Sequence, residues 1–268
     1  MQYLVSLSLA LGLLIGAAAA EARVVTQPVD YRTGDTALKG YLAYDDAVVG
    51  KRPGVLVIHE YWGLNQFAKD RAVDLAKMGF VALAADMYGK GVVASTSEEA
   101  SKLAGQFRDK WDTGGRQEMR DRAQAGLAVL RAHQLVDPAR LAAIGYCFGG
   151  TTALELAYSG ADLRGVVSFH GGLTTPADAD LPNIKASILI LHGAIDPTMT
   201  PEQIKATQDA LTKANADWQM IIYSGAKHSF TNPANKDPNN PAVGYNEKAA
   251  RRSWQAMRQF FNEVFALQ

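Results

Sequence analysis

The sequence predicts an α/β protein with a mostly parallel sheet and helices on both faces. Three observations support this. Short, continuously apolar segments such as Val55-Leu56-Val57-Ile58 read as strands buried on both faces. Segments with helical periodicity alternate with them along the chain, the order that builds parallel sheets. The chemically suggestive residues also follow the carboxyl ends of the strand segments, where ligand sites lie in such sheets.

The elements follow in order. Val24 to Tyr31 and Leu38 to Tyr44 read as two strands around the turn Thr33-Gly34-Asp35. Pro53-Gly54 introduces the central strand Val55 to Ile58. Gln66 to Met78 is a helix with Phe67, Ala68, Ala72, Leu75 and Ala76 on one face, ended by Gly79. Phe80 to Ala85 is the next buried strand, and Asp86 follows it. Ser95-Thr96-Ser97 opens a helix with Glu98 and Glu99 near its positive end. Arg116 to His133 is amphipathic through Met119, Ala123, Leu127 and Leu130. Leu141 to Ile144 is a strand, and Thr151 to Tyr158 a helix. Gly165 to Phe169 and Ser187 to Leu191 are strands. Pro201 to Asn215 is a helix with Thr200 as N-cap and proline at its first position. Asp217 to Tyr223 is the last strand and Asn246 to Val264 the last helix.

Composition narrows the function classes. Hydrophobic residues make up 48% and charged residues 20%, an ordinary globular balance. Lys plus Arg and Asp plus Glu both number 27, so no electrostatic argument favours nucleic acid or an anionic membrane as partner. Leu4 to Ala20 is an uncharged apolar run followed by small residues, Ala18-Ala19-Ala20 and Ala20-Glu21-Ala22. Residues 1–22 are therefore expected to be a cleaved export signal, although Met1-Gln2-Tyr3 lacks the usual cation. An uncleaved anchor or a buried helix is the alternative. Residues 23–268 then form one domain, periplasmic or secreted, with no stable membrane association once the signal is removed.

The strand Leu141 to Ile144 runs into Gly145-Tyr146-Cys147-Phe148-Gly149-Gly150. A reactive residue framed by glycines between a strand and a helix is the nucleophile-elbow pattern. Cys147 is the one cysteine in the chain, so in an exported protein it is either an inert buried hydrophobe or a reactive thiol. Asp196 follows the strand Ser187 to Leu191, and His228 lies beyond the last strand. Nucleophile, acid, histidine is the chain order of α/β-hydrolases. Each partner has a plainer reading. Asp196 before Pro197 could cap a helix, and His228 could be a solvated loop residue. His192 is the rival base, while His59 and His170 sit at strand ends beside the site. No histidine pair has helical metal-ligand spacing and there is no cysteine cluster, so no metal is expected. Elbow geometry assigns the oxyanion hole to the backbone N–H groups of Phe148 and of Tyr61, after the strand Val55 to Ile58.

The elbow phrase, with Asp196 and His228 in that order, resembles the dienelactone hydrolase family. So do Ile58-His59-Glu60-Tyr61-Trp62-Gly63, Asp86-Met87-Tyr88-Gly89-Lys90-Gly91 and Gly225-Ala226-Lys227-His228-Ser229-Phe230. The resemblance implies an α/β-hydrolase fold and a Cys147–His228–Asp196 triad. It also implies that Glu60 contacts the resting cysteine, where a carboxylate would disfavour the thiolate. Trp62 and Tyr88 are candidate pocket walls or core aromatics, and His170 is a further pocket candidate. Where the family pattern carries substrate-binding arginines, this chain has Lys90 and Asn232. Asn232 carries no charge and Lys90 no bidentate fork, so neutral or weakly acidic small esters are expected over dicarboxylate-like lactones.

The reading is an exported hydrolase that cleaves a small ester or lactone through an acyl-thioester, without cofactor. The alternatives are a non-catalytic binding protein that keeps the fold and a thiol redox protein, the latter disfavoured by the missing resolving cysteine.

Overall fold

The computed structural model describes residues 23–237 and 239–267. The expected export signal lies outside the described residues. Among the described residues, eight strands and six α-helices follow in chain order. They are β1 Val24–Thr33, β2 Thr36–Asp45, β3 Arg52–Ile58, α1 Gln66–Lys77, β4 Val81–Ala85 and α2 Ser97–Arg108. Next come α3 Gly115–Ala132, β5 Val136–Tyr146, α4 Phe148–Tyr158, β6 Gly165–Phe169, β7 Ser187–Gly193, α5 Pro201–Lys213, β8 Trp218–Tyr223 and α6 Glu247–Val264.

The strands form one sheet in the order β1-β2-β4-β3-β5-β6-β7-β8. β1 pairs antiparallel with β2, and β2 antiparallel with β4. From β4 to β8 every pairing is parallel. This is the α/β-hydrolase arrangement that the sequence leads one to expect.

The continuous apolar runs are explained by cover on both faces. Along β3, Val55 and Val57 face a core shared with Ala68, Ala72 and Leu75 of α1 and Met257 and Phe261 of α6. Leu56 and Ile58 face the opposite core, with Met119, Ala123 and Leu127 of α3 and Ala153 and Leu154 of α4. The period-two alternation of a strand therefore feeds two separate cores from one four-residue run.

Helix ends form as the local chemistry dictates. Asn65 caps α1, Thr96 caps α2, and Thr200 with Gln203 forms a capping box on α5. Helix α4 departs from expectation by starting at Phe148, three residues earlier than Thr151. Its first turn thus contains Gly149 and Gly150, which the sequence suggests are part of the bend. Their role is close approach. A Cβ on Gly149 would lie 2.2 Å from the Ile58 carbonyl oxygen at the end of β3, and one on Gly145 would lie 1.9 Å from the Gly149 oxygen.

These contacts are backbone to backbone, so no rotamer change relieves them. Gly149→Ala is expected to destabilise the fold by roughly 3 kcal/mol or more, the upper end of overpacking costs. Urea unfolding of the purified variant measures this. A loss under about 1 kcal/mol would mean that α4 and β3 separate readily.

Candidate active site

Three strand ends converge on one cavity. Cys147 lies between β5 and α4, Asp196 just past β7, and His228 past β8. Cys147 has φ 54° and ψ −117°, a strained conformation for a side chain with a Cβ. Its N–H is shared between the Phe169 carbonyl at 3.0 Å and Nδ1 of His170 at 3.1 Å. His170 (φ 41°) and Ser229 (φ 55°) are also held at positive φ. Backbone strain therefore gathers at the strand ends around the cysteine.

Asp196 and His228 are directly paired. The ring Nδ1–H donates to Asp196 Oδ2 at 2.8 Å. The other oxygen, Oδ1, accepts from the Thr198 hydroxyl at 2.6 Å and the Thr198 N–H at 2.9 Å. Asp196 therefore does not cap α5; Thr200 does. The plainer reading of His228 also fails, because its side chain is only 12% exposed. His192 lies buried at the end of β7, and burial lowers its pKa.

The electrostatics follow from this packing. Burial raises the Asp196 pKa, but the His228 hydrogen bond and charge, with the Thr198 bonds, outweigh it and bring it to about 2. Burial opposes charge on His228, but the Cys147 charge, the Asp196 hydrogen bond and the Cys147 hydrogen bond together raise it to about 10. Folding therefore favours protonated His228. That contribution is fully present below the ordinary value of 6.5 and is lost as pH rises through about 10. The Asp196 contribution is present above 3.8 and is lost as pH falls through about 2.

Glu60 is buried at the end of β3, and its two carboxylate oxygens have partners other than the thiol. One oxygen accepts from the Ser229 hydroxyl and the other from Asn232 Nδ2 at 2.6 Å. Asn235 donates to Ser229 Oγ at 2.8 Å and extends the network. The carboxylate thus ties down the loop carrying His228. Burial lifts the Glu60 pKa above its usual range, partly offset by Ser229, Asn232 and the His228 charge.

The cavity beside Cys147 and His228 is about 620 Å³ and includes Tyr61 and Phe148 in its lining. The Phe148 N–H is the first of α4 and has no acceptor within the helix. Among the described residues, neither that N–H nor the Tyr61 N–H donates to a protein acceptor.

The pocket candidates fare differently. Tyr88 is buried, and its hydroxyl donates to the Tyr61 carbonyl at 3.0 Å. Trp62 packs edge-on against Tyr61 with ring centroids 4.7 Å apart. Both flank Tyr61 from outside the cavity instead of walling it. Lys90 is on the surface, paired with Asp30 at 3.0 Å. Asn232 is buried against Glu60, and His170 lies behind the Cys147 backbone with Nε2 2.7 Å from Thr231 Oγ1. None of these five lines the cavity. His59 is likewise structural: Nδ1–H donates to the Glu60 carbonyl and Nε2 accepts from the Met87 N–H at 3.2 Å.

Sequence reasoning missed Thr198, Ser229 and Asn235. Thr198 had a signal, a hydroxyl residue two places after an aspartate in a turn. It also missed the cavity wall formed by Trp111, in a short 3-10 turn between α2 and α3, and by Met119, whose helical spacing does not mark it as different from core. Among the described residues no group of three or more His, Cys, Asp or Glu could hold a metal ion.

Since the Cys147 charge is the largest influence raising His228, Cys147→Ala is expected to lower the His228 pKa. Imidazole-selective NMR against pH reads this directly. A His228 titration unchanged near 10 would mean that Asp196 alone holds the proton.

The sequence profile of the dienelactone hydrolase family matches residues 38–265. A solved structure of the dienelactone hydrolase-like promiscuous phosphotriesterase P91 from metagenomic libraries is 42% identical. It superposes with a TM-score of 0.84 over 90% of this chain and 98% of that one. A Bradyrhizobium sp. protein named "Probable 2-oxo-3-(5-oxofuran-2-ylidene)propanoate lactonase" is 31% identical over 75% of this chain and 82% of its own length. A Yersinia pestis protein named "Putative carboxymethylenebutenolidase" is 28% identical over 84% of both chains. With its sheet order, its elbow and this match over most of its length, the chain belongs to the dienelactone hydrolase family and is an ester or lactone hydrolase.

Proposed function

We propose that the protein hydrolyses small esters or lactones with Cys147 as nucleophile, His228 as proton carrier and Asp196 as the group that orients the ring. The observation that carries this is the sharing of one cavity by the elbow cysteine, the Asp196-bound His228 and two unengaged backbone N–H groups. The Cys147 thiol gives its proton to His228 and its sulfur adds to the ester carbonyl carbon. The oxyanion that forms is held by the N–H groups of Tyr61 and Phe148, at the positive end of α4. Collapse breaks the carbon–oxygen ester bond, and the His228 imidazolium protonates the leaving oxygen. In a lactone that oxygen stays tethered to the acyl chain.

His228 then takes a proton from water as the water attacks the thioester carbonyl. Collapse returns the sulfur as leaving group, and the carboxylic acid departs. Asp196 keeps Nδ1–H pointed at itself, so Nε2 faces the reacting atoms throughout. Glu60 acts through Ser229 and Asn232 as a positioning residue for the His228 loop.

Cys147→Ala is expected to lower kcat by about 10⁴-fold or more while leaving the fold intact, because the elbow side chain is not core. His228→Ala should be nearly as damaging. Cys147→Ser should also lose most activity, since a hydroxyl ionises far less readily than a thiol. Steady-state assays on a lactone and on a nitrophenyl ester check this, with a phosphotriester included because of the likeness to P91. Wild-type turnover by Cys147→Ala, free of contaminating enzyme, would refute the nucleophile.

Export with removal of residues 1–22 belongs to the same proposal and is supported by the apolar run and alanine cluster. Intact mass of protein from the native host should give a chain starting near Glu21 or Arg23. A membrane-embedded chain that retains Met1 would contradict it.

A further inference from the structure

We infer that Arg108, at the end of α2, is the anion-recognising residue of this cavity. The substrate class is then esters or lactones with an apolar body and a carboxylate remote from the scissile bond. The inference rests on the hydrolase reading above and names its substrate class.

The charge census of the cavity is the first argument. Arg108 is the one permanently charged side chain in the lining, and no aspartate, glutamate or lysine accompanies it. Lys90 and Asn232, the positions to which the sequence directs attention, are spent on Asp30 and Glu60. Recognition of an anion inside this cavity therefore falls to a different element.

The second argument is the state of that guanidinium. Only its Nε is engaged, donating to Asp109 Oδ1 at 3.2 Å. Both partners of that pair are exposed, 68% and 69%, so the pair holds Arg108 weakly. Among the described residues its two terminal nitrogens donate to no acceptor. They leave open the paired-donor edge that matches a carboxylate.

Three threonine hydroxyls of the lining are already committed. The Thr151 hydroxyl donates to the Gly172 carbonyl at 2.9 Å, Thr174 to Glu155 Oε1 at 2.7 Å and Thr198 to Asp196 Oδ1 at 2.6 Å. A hydroxyl has one proton, and these three are used inside the protein. None of the three protons is free for a ligand carboxylate. Trp111, Met119 and Phe148 supply apolar area for the substrate body. Among the side chains of this lining, Arg108 thus offers a carboxylate its permanently charged pair of donors.

The test compares mono-4-nitrophenyl glutarate with its methyl diester near neutral pH, in wild type, Arg108→Gln and Arg108→Lys. Wild type should favour the acid in kcat/KM. Arg108→Gln should lower kcat/KM for the acid by about 10–100-fold, mostly through KM, the range expected for one charge-assisted interaction. The diester should change by less than about twofold, and Arg108→Lys should recover part of the loss. Equal loss on both substrates, or no loss on either, would overturn the inference. Calorimetric binding of unreactive 4-phenylbutyrate against 4-phenylbutyramide separates this from the hydrolase reading. Arg108-dependent preference for the carboxylate without any hydrolysis would sink the function and keep the anion site. Hydrolysis without that preference would do the reverse.

Discussion

The site depends on one steric constraint, the contact of the first turn of α4 with the ends of β3 and β5. At Gly145 and Gly149 no Cβ fits, because carbonyl oxygens occupy its place. That contact forces Cys147 into its positive-φ conformation and lifts its side chain clear of the sheet. It also brings the Phe148 N–H alongside the segment that follows β3, so that Tyr61 and Phe148 face one cavity. Strain at Cys147 is offset by the sheet and helix packed on either side, which bury four apolar residues of β3 completely.

Around this elbow the polar groups fall into two buried networks that meet at the His228 loop. Asp196 and Thr198 fix the His228 ring from the β7 side. Glu60, Asn232, Asn235 and Ser229 fix its backbone from the β3 side. The two carboxylates are tuned in opposite directions. Asp196 faces a cationic ring and is pushed down to about 2, whereas burial raises Glu60 beside two neutral donors. One carboxylate stays charged to support the imidazolium, and the other is a buried acceptor that holds the loop.

Much of this was legible in the sequence. The parallel core strands announce themselves as apolar runs, and the chain order of Cys147, Asp196 and His228 is visible because strand ends carry the chemistry. The structure gathers Cys147, His228, Tyr61 and Phe148 around one cavity and pairs His228 with Asp196. It does less well wherever the answer depends on which way a side chain turns. Glu60 sits at the expected place but bonds to Ser229, a partner 169 residues away that only the fold supplies. Lys90 and Asn232 sit where a family pattern directs attention, yet one turns to the surface and the other inward. The cavity wall from α2 and α3 was invisible, since a residue facing a cavity and one facing a core have the same periodicity.

The central claim is that the elbow thiol forms a covalent acyl intermediate. Rapid acid quench during turnover of an ester with a bulky, slowly released acyl group, followed by intact-mass and peptide analysis, tests it most directly. The account predicts one acyl group per chain, on the peptide that carries Cys147, formed in step with a burst of released alcohol. An acyl group on any other residue, or a full alcohol burst with Cys147 unmodified, would contradict it.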